Sequence, residues 1–560
     1  MQKIRGLQEA VVVLFSVFAA ARIVSTYTVF SQTWDEPVHV ASGMEWLQHG
    51  TYTYEALHPP LARIAVAMGP FLSGIRLSSR DLKPAVLVEG GNAIFAARGA
   101  YLHNLSLARL GVLPFFFIAV GIVWYWTREL FGNAAAVAAV GLFTMLPPIL
   151  GHAGLATTDL PLTAMFAVAL YAFVSWLQRP SISQSIVLGI SVGLAILTKF
   201  TALLFLPTCG VSALLCSLFA GETAIMQRRQ DITLRLKRLG FAALVCAAVI
   251  LAGYQFSFHP VTSRDLRPHL LVDHILGDSG RWHDLANDVV ERTPVPVPEF
   301  FHGIIQVRAR LHYPTKMYLL GHVGTKGWWY FFPVALLVKT PIPFLALTII
   351  GALGAVRKWR RRELDWRGLV PPAAALALLL VSLLSSLSIG LRHILPIFPF
   401  LSMIAGFGII ELWSGVRTRW LGRALAVGLA AWMLFTTTMA HPDYLAYFNE
   451  FAGRHPERIL GDSDLDWGQD LLRLSADLRS RGVTHLAIAY NGGADLSRMN
   501  LPPYEILAPC VRTTGWVAVS LFKLQTSQPS IGCGGFSWLE AYKPVALIGK
   551  SIRLYWLPTT

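Results

Sequence analysis

Long apolar runs separated by short polar stretches dominate residues 1–440. A helix needs roughly 20 residues at ~1.5 Å each to cross a ~30 Å hydrocarbon core. The pattern predicts eleven such spans, at 8–30, 107–127, 134–151, 160–178, 184–199, 201–219, 240–257, 328–350, 369–388, 394–413 and 423–440. One more apolar stretch, Leu61 to Leu77, is interrupted by Gly69-Pro70 and flanked by Arg63 and Arg76. It predicts helices lying in the interface and opened by Pro59-Pro60, because proline suits a first turn. Two large polar connections remain, 31–106 and 258–327; the second is rich in His, Arg and Pro and ends in the aromatic belt Gly327-Trp328-Trp329-Tyr330. From 441 the pattern changes. A helix after Trp467 and strands near His485 to Tyr490, Gly515 to Phe522 and Val545 to Leu557 predict a separate soluble α/β domain over 441–560. The fold class expected is a polytopic α-helical membrane protein of about eleven spans, 1–440, with a C-terminal soluble α/β domain.

Composition agrees with a membrane chain: 54% of the 560 residues are apolar, 14% are charged, and mean hydropathy is +0.52. The formal charge of +15 would suit a polyanion partner if it were spread over one surface. Instead the basic residues cluster in alternate short connections, Arg228 to Arg238, Arg357 to Arg367 and Arg417 to Arg423. That is the positive-inside pattern, so the charge reports orientation and argues against a nucleic-acid partner. With Lys3 and Arg5 inside, parity puts Asp35, Asp159, His259, Arg392 and the C-terminal domain on the outer face of the membrane. The N-terminus imitates a signal peptide, but its apolar stretch runs to about Phe30 and reads as an uncleaved first helix. Cys209, Cys216 and Cys246 fall in apolar helices as small core residues, and pairing of Cys510 with Cys533 is left open. No internal repeat is evident.

The candidate chemistry gathers on that outer face. Asp35-Glu36 sits between Trp34 and Pro37 where the first span ends, and carboxylates at a membrane edge are costly enough to be functional candidates. The pair, with Asp35 near headgroup depth, is placed to act as a general base or a metal ligand; the plainer reading is a solvated turn. His58, before Pro59-Pro60, stands at a helix start that favours anions, or is incidental there. Asp159, after Gly151-His152-Ala153-Gly154, either caps a span or serves the site. Lys199 joins two spans, and Arg392-His393 lie in Gly390-Leu391-Arg392-His393-Ile394-Leu395-Pro396; these cations either snorkel or face a cavity. Arg22 reads as snorkelling, and Lys339 has no assigned role. Carboxylates and cations at membrane depth suit a substrate that is part lipid and part polar, with a base for an acceptor hydroxyl and cations for a departing phosphate. Asp462-Ser463-Asp464-Leu465-Asp466-Trp467-Gly468 imitates a calcium loop, but Trp467 replaces the turn glycine and Arg473 the bidentate glutamate; it reads as an acidic cluster at a helix N-terminus.

Together Asp35-Glu36, His58-Pro59-Pro60-Leu61, Asp159-Leu160-Pro161-Leu162, Leu197-Thr198-Lys199 and Gly390-Leu391-Arg392-His393 resemble the phospholipid-carrier-dependent glycosyltransferases, family 39 with the GT-C fold. That family includes bacterial relatives of protein O-mannosyltransferases and of the lipid A aminoarabinose transferase. The resemblance spans about residues 8–440, and Asp464-Leu465-Asp466-Trp467-Gly468-Gln469-Asp470 resembles the C-terminal domain of a bacterial branch. It implies an inverting transferase that uses a polyprenyl-phosphate-linked sugar donor and a protein, lipid or glycan acceptor. Asp35 would be the base, Glu36 would orient the base or the acceptor, and Lys199, Arg392 and His393 would meet the lipid phosphate, with His58 and Asp159 also binding substrate. A divalent metal ion stays open as a cofactor: Leu57 stands where the aminoarabinose enzymes carry a glutamate implicated in metal binding, and His259, His302, His312 and His322 are undistinguished alternatives. The competing reading is a transporter or flippase of lipid-linked sugar, which also needs buried charges but places them near the midplane on repeated, broken helices.

Overall fold

The computed structural model describes residues 2–78, 87–219, 229–260, 279–415, 418–527 and 532–558. Arg228 and Arg417, the first residues of two predicted basic clusters, lie outside them. Each of the eleven predicted spans coincides with a helix or a broken helix, but among the described residues only eight helices are long and apolar enough to cross a membrane, or up to nine if a bent pair is one span. The count of eleven is therefore not upheld, and the shortfall has local causes. Ile182–Thr198 is 17 residues long, and the 3-10 turn Trp366–Leu369 runs into a helix, Val370–Ser382, of 13 residues. The predicted 134–151 is two helices, Asn133–Phe143 and Pro147–Ala153, meeting at 64° where Pro147-Pro148 starts the second. The predicted 328–350 also breaks at Pro341, between Phe331–Lys339 and Ile342–Arg360, but Ile342–Arg360 is itself one of the eight, so this break does not lower the count. Asn449 closes that break: its side-chain amide donates to Leu337 O and Thr340 O, both at 2.6 Å, and its backbone N–H to Val338 O at 2.8 Å.

The helices differ sharply in burial. Only 6% of the apolar window of Ile232–Gly253 is buried inside the protein, against 78% for Asp159–Gln178 and 83% for Leu391–Ser414. The last two are thus the central helices, and each begins with or next to a charged residue of interest. Leu and Val side chains stay exposed on the peripheral helices, as lipid-facing surfaces require. Helices Ile342–Arg360 and Phe398–Gly415 approach closely because a Cβ at Gly351 or Gly408 would run into the carbonyl of Ile404 or Leu347. Pro60 starts the helix Pro60–Leu72, as the proline pair predicts, and it packs on Glu36–His49 and Tyr101–Leu110.

The C-terminal part holds a five-stranded sheet built from β1 (Leu486–Ala489), β2 (Tyr504–Ile506), β3 (Gly515–Ser520), β4 (Ala546–Ile548) and β5 (Ile552–Leu557). The order is β2-β1-β3-β5-β4, with β1 parallel to β2 and β3 and the remaining pairs antiparallel. The helix expected after Trp467 is Leu471–Ser480. The single closing strand expected near Val545 to Leu557 is a hairpin instead, turned at Gly549 with φ 56°. β2 has only three residues, too few for an alternating pattern to show it.

Cys510 and Cys533 form a disulfide 23 residues apart in sequence. Closing a loop of that size removes about 3 kcal/mol of unfolded-state freedom. Replacing both cysteines by serine should lower the thermal unfolding midpoint of the purified protein, and thiol labelling of the denatured, unreduced wild type should count three free cysteines, Cys209, Cys216 and Cys246.

Candidate active site

Every charged candidate stands at a helix end, and these ends converge. Asp35 precedes the helix Glu36–His49, Asp159 opens Asp159–Gln178, Lys199 follows Ile182–Thr198, and Arg392 lies in the 3-10 segment Leu391–Ile397 ahead of Phe398–Gly415. The result is a chain of ion pairs. Lys199 Nζ lies 2.6 Å from Asp159 Oδ1, Arg392 Nη1 is 3.8 Å from Asp159 Oδ2, and the same Nη1 donates to Asp35 Oδ2 at 2.6 Å. Asp159 and Arg392 are buried, while the Asp35 side chain keeps 25% of its surface exposed. Asp35 is therefore the carboxylate of this chain that a substrate can approach. Burial raises its carboxyl, but the Arg392 guanidinium outweighs that and holds it below the ordinary carboxylate value.

Four buried polar atoms in this neighbourhood make no hydrogen bond: Arg392 Nε, His393 Nε2, His152 Nδ1 and Asp159 Oδ2. Buried polar groups are nearly always satisfied, so such a concentration marks a place built for chemistry or a ligand. His152 was not a sequence candidate. It sits on the short helix after the Pro147-Pro148 bend, its ring 6.3 Å from that of Trp467, and the sequence signal for it was only the small-residue stretch Gly151 to Gly154. His39 was also missed. It lies one turn after Asp35, its N–H donating to Asp35 O at 3.1 Å, and its ring is 5.0 Å from that of His58. The four-residue spacing from Asp35 was the available signal.

His58 is positioned differently from a cationic anion clamp. Arg63 Nη2 lies 3.3 Å from His58 Nδ1, and Arg63 Nε donates to His39 Nδ1 at 3.1 Å. Burial first, and Arg63 second, push His39 down to about 3 and His58 well below the ordinary histidine value, so both rings are neutral at pH 7. Arg63 also donates to Tyr52 and pairs with Glu55, and it organises the loop ahead of Pro60.

Glu36 faces away from its neighbour. Arg109 grips it with two hydrogen bonds, Nε to Oε1 and Nη2 to Oε2, each 2.9 Å. Ala156 N–H donates to Oε1 at 2.8 Å and Thr33 N–H to Oε2 at 2.7 Å. Both side chains are fully buried. With its oxygens occupied, Glu36 joins the Asp35 loop to the helix carrying Arg109 and to the turn leading into Asp159, which is a holding role and leaves it no oxygen for an acceptor.

The C-terminal domain completes the wall. The Trp467 ring lies 4.2 Å from Arg392 Cζ, Trp34 N–H donates to Trp467 O at 3.1 Å, and Leu391 N–H donates to Asp464 Oδ1 at 3.0 Å. Lys339 donates to the carbonyls of Leu445 and Asp464 at 2.7 and 2.5 Å, which gives it the role the sequence left blank. Arg22 reaches Thr437 O at 2.6 Å within the protein and does not snorkel to water. The acidic residues do not cap the next helix: Asp466 accepts from Phe522 N–H and Asp470 from Ser551 Oγ, in separate directions. Among the described residues no three His, Cys, Asp or Glu side chains are grouped to hold a metal. His259 pairs with Glu299, His302 lies against Gln306 and His312 against Arg308 O.

This is the fold of the GT-C glycosyltransferases, set in a multi-pass membrane protein. Residues 97–252 match the family model described as dolichyl-phosphate-mannose-protein mannosyltransferase, and the family 39 resemblance read from the motifs is borne out. The Archaeoglobus fulgidus oligosaccharyltransferase AglB, in complex with an inhibitory peptide and a dolichol-phosphate, superposes with a TM-score of 0.50 at 12% identity over 92% of this chain and 69% of that one. ArnT from Cupriavidus metallidurans bound to undecaprenyl phosphate gives 0.48 at 13% identity, covering 97% of each chain. The S. cerevisiae protein O-mannosyltransferase Pmt1-Pmt2 complex bound to the sugar donor gives 0.49 at 12%, covering 78% of this chain and 90% of that one. No curated protein sequence matches.

Removing one partner of a buried, hydrogen-bonded ion pair costs about 3–5 kcal/mol. Glu36→Ala and Arg109→Ala should therefore each lower the unfolding midpoint and yield of detergent-purified protein, whereas Asp35→Ala should lower them less, because the Asp35 side chain is a quarter exposed and Arg392 keeps Asp159 as a second partner. A Glu36→Ala protein with an unchanged midpoint would return Glu36 to a direct part in the chemistry.

Proposed function

We propose that this chain transfers a sugar from a polyprenyl-phosphate-linked donor to an acceptor hydroxyl on the extracytoplasmic face of a bacterial plasma membrane, by a single inverting displacement. The observation that carries this reading is the ion-pair chain Asp35–Arg392–Asp159–Lys199 at the converging helix ends, with one partly exposed carboxylate and unpartnered Arg392 Nε and His393 Nε2 beside it. A lipid whose tail lies among the helices and whose phosphate reaches these ends meets both cations.

Asp35 accepts the proton from the acceptor O–H. The acceptor oxygen forms its bond to the anomeric carbon on the face opposite the phosphate, and the bond from that carbon to the phosphate oxygen breaks with its electron pair leaving on the phosphate. Lys199 and Arg392 stabilise the charge that develops there. A phosphate is a good leaving group, so no second carboxylic acid is required, unlike in glycoside hydrolysis. In the free protein Arg392 holds Asp35 as a weak base. A donor phosphate that draws Arg392 toward itself weakens that hold, so Asp35 gains basicity when the donor is in place. Asp159 keeps Lys199 and Arg392 at a fixed spacing.

Asp35→Asn should lower transfer about 10²- to 10⁴-fold. The check is incubation of purified protein with lipid-linked donors extracted from the producing membranes, followed by mass spectrometry of the acceptor fraction and anomeric analysis of the product. Transfer by Asp35→Asn at the wild-type rate would remove the base assignment. Movement of lipid-linked sugar across vesicles with no new glycosidic bond would replace the reading with transport.

A further inference from the structure

Arg63, buried in the first turn of Pro60–Leu72, holds two imidazoles at once. Its Nε donates to His39 Nδ1 at 3.1 Å, and its Nη2 lies 3.3 Å from His58 Nδ1. A guanidinium donates hydrogen bonds and accepts none, so each Nδ1 is the acceptor. A neutral imidazole whose Nδ1 accepts carries its hydrogen on Nε2. One arginine thus fixes the same tautomer in both rings and, as a permanent cation between them, keeps both uncharged. The rings also share a place. His39 stands one helical turn after Asp35, and the His58 ring meets it edge-on, centroids 5.0 Å apart at 80°. His58 is fixed from its backbone as well: Tyr52 Oη accepts from Arg63 Nη1 at 2.9 Å and donates to His58 O at 2.6 Å. His39 is within electrostatic reach of Asp35, Asp159 and Lys199, and His58 of Lys199 and Arg392. Among the described residues neither Nε2 makes a hydrogen bond within the protein, and neither is sealed off as His393 Nε2 is.

We propose that His39 and His58 read the sugar of the donor: their Nε2–H groups donate to its hydroxyl oxygens, while Lys199 and Arg392 take the phosphate. The inference rests on the transfer proposed above and deepens it. Uncharged donors add little to a phosphate already met by two cations. A sugar, by contrast, is a neutral body of oxygen acceptors that has to be oriented beside Asp35. Two donors fixed in tautomer and in plane reject a sugar that lacks the matching oxygen, because the unmatched N–H is left without a partner. The ligand class is therefore a sugar with free hydroxyls on the side turned to these rings. Neither ring gives up a proton, and the proton of the acceptor still goes to Asp35. Arg63 acts through the rings as a positioning residue, since it sets which nitrogen of each carries the hydrogen.

The test reads binding and needs no turnover. Purified protein in detergent is incubated with lipids extracted from the producing membranes, and native mass spectrometry counts bound polyprenyl phosphate with and without a sugar. Wild type should hold both forms. His39→Leu and His58→Leu should each lower the ratio of sugar-bearing to bare lipid about tenfold, the worth of roughly one hydrogen bond, and leave the hold on bare lipid unchanged. His39→Gln and His58→Gln can still accept from Arg63 and donate to a sugar, so they should keep most of the ratio. Lys199→Ala should lower both forms together. A ratio unmoved in both leucine variants overturns the proposal. So does an equal loss of both lipid forms in them, or a glutamine loss equal to that of leucine. Wild type that holds neither form would end the donor reading itself, whereas an unmoved ratio ends only the role of the two histidines, so the two failures are distinct.

Discussion

Four charges at the dry ends of helices, two carboxylates and two cations, must neutralise one another, and most of the architecture follows from that requirement. Each charge alone would carry a penalty of several kcal/mol on leaving water. Linked as Lys199–Asp159–Arg392–Asp35 they balance, but only if their helix ends meet within a few ångströms. The bend after Phe143, the short helix before Lys199 and the 3-10 segment around Arg392 are the places where regular helix gives way so that these ends converge. Helix breaks at membrane depth are tolerated where protein covers the freed backbone groups, and the amide of Asn449 at the Thr340-Pro341 break shows how that is done here.

Asp35 and Glu36 are adjacent in sequence and opposite in situation. Both end the first span and both pair with an arginine. Glu36 is sealed, with Arg109, Ala156 and Thr33 occupying its oxygens. Asp35 shares one bond with Arg392 and keeps a quarter of its side chain open. A saturated carboxylate holds a loop still; a partly exposed one held by a single movable cation can change partner. Under the proposed function, the first provides the fixed geometry in which the second acts, since a catalytic group is only as well placed as the shell around it.

The broad plan was legible in the sequence because hydrophobic periodicity and helix-end charges are local signals. Asp159, Lys199 and Arg392 stood out as charges in apolar surroundings, and the structure brings them together with Asp35. The span count was not confirmed where a local pattern gives apolar length but not helix length or curvature: the 64° bend at Pro147 interrupts one predicted span, and the helices Ile182–Thr198 and Val370–Ser382 are short. The partners of Glu36 and Lys339 were illegible for another reason. Arg109 lies 73 positions from Glu36, and Asp464 lies 125 from Lys339, and no periodicity joins such pairs. His39 and His152 look like ordinary helical residues until the ring contacts with His58 and Trp467 are seen.

The position of the C-terminal domain is explained by the same charge balance. Trp467 stacks on Arg392, Asp464 accepts from the backbone N–H beside it, and Lys339 is held by the Asp464 carbonyl. A guanidinium between two carboxylates has competing hydrogen-bonded arrangements available, and a flat aromatic face restricts its plane without adding charge. Trp467 therefore limits which way Arg392 can turn, while the carboxylates on either side set how strongly it is drawn. In the transfer proposed above, a site that receives a phosphate and then releases it gains from a cation confined in direction but divided in attachment. The loop 462–470 supplies the confinement, so the soluble domain is part of the wall of the membrane site as well as an appendage outside it.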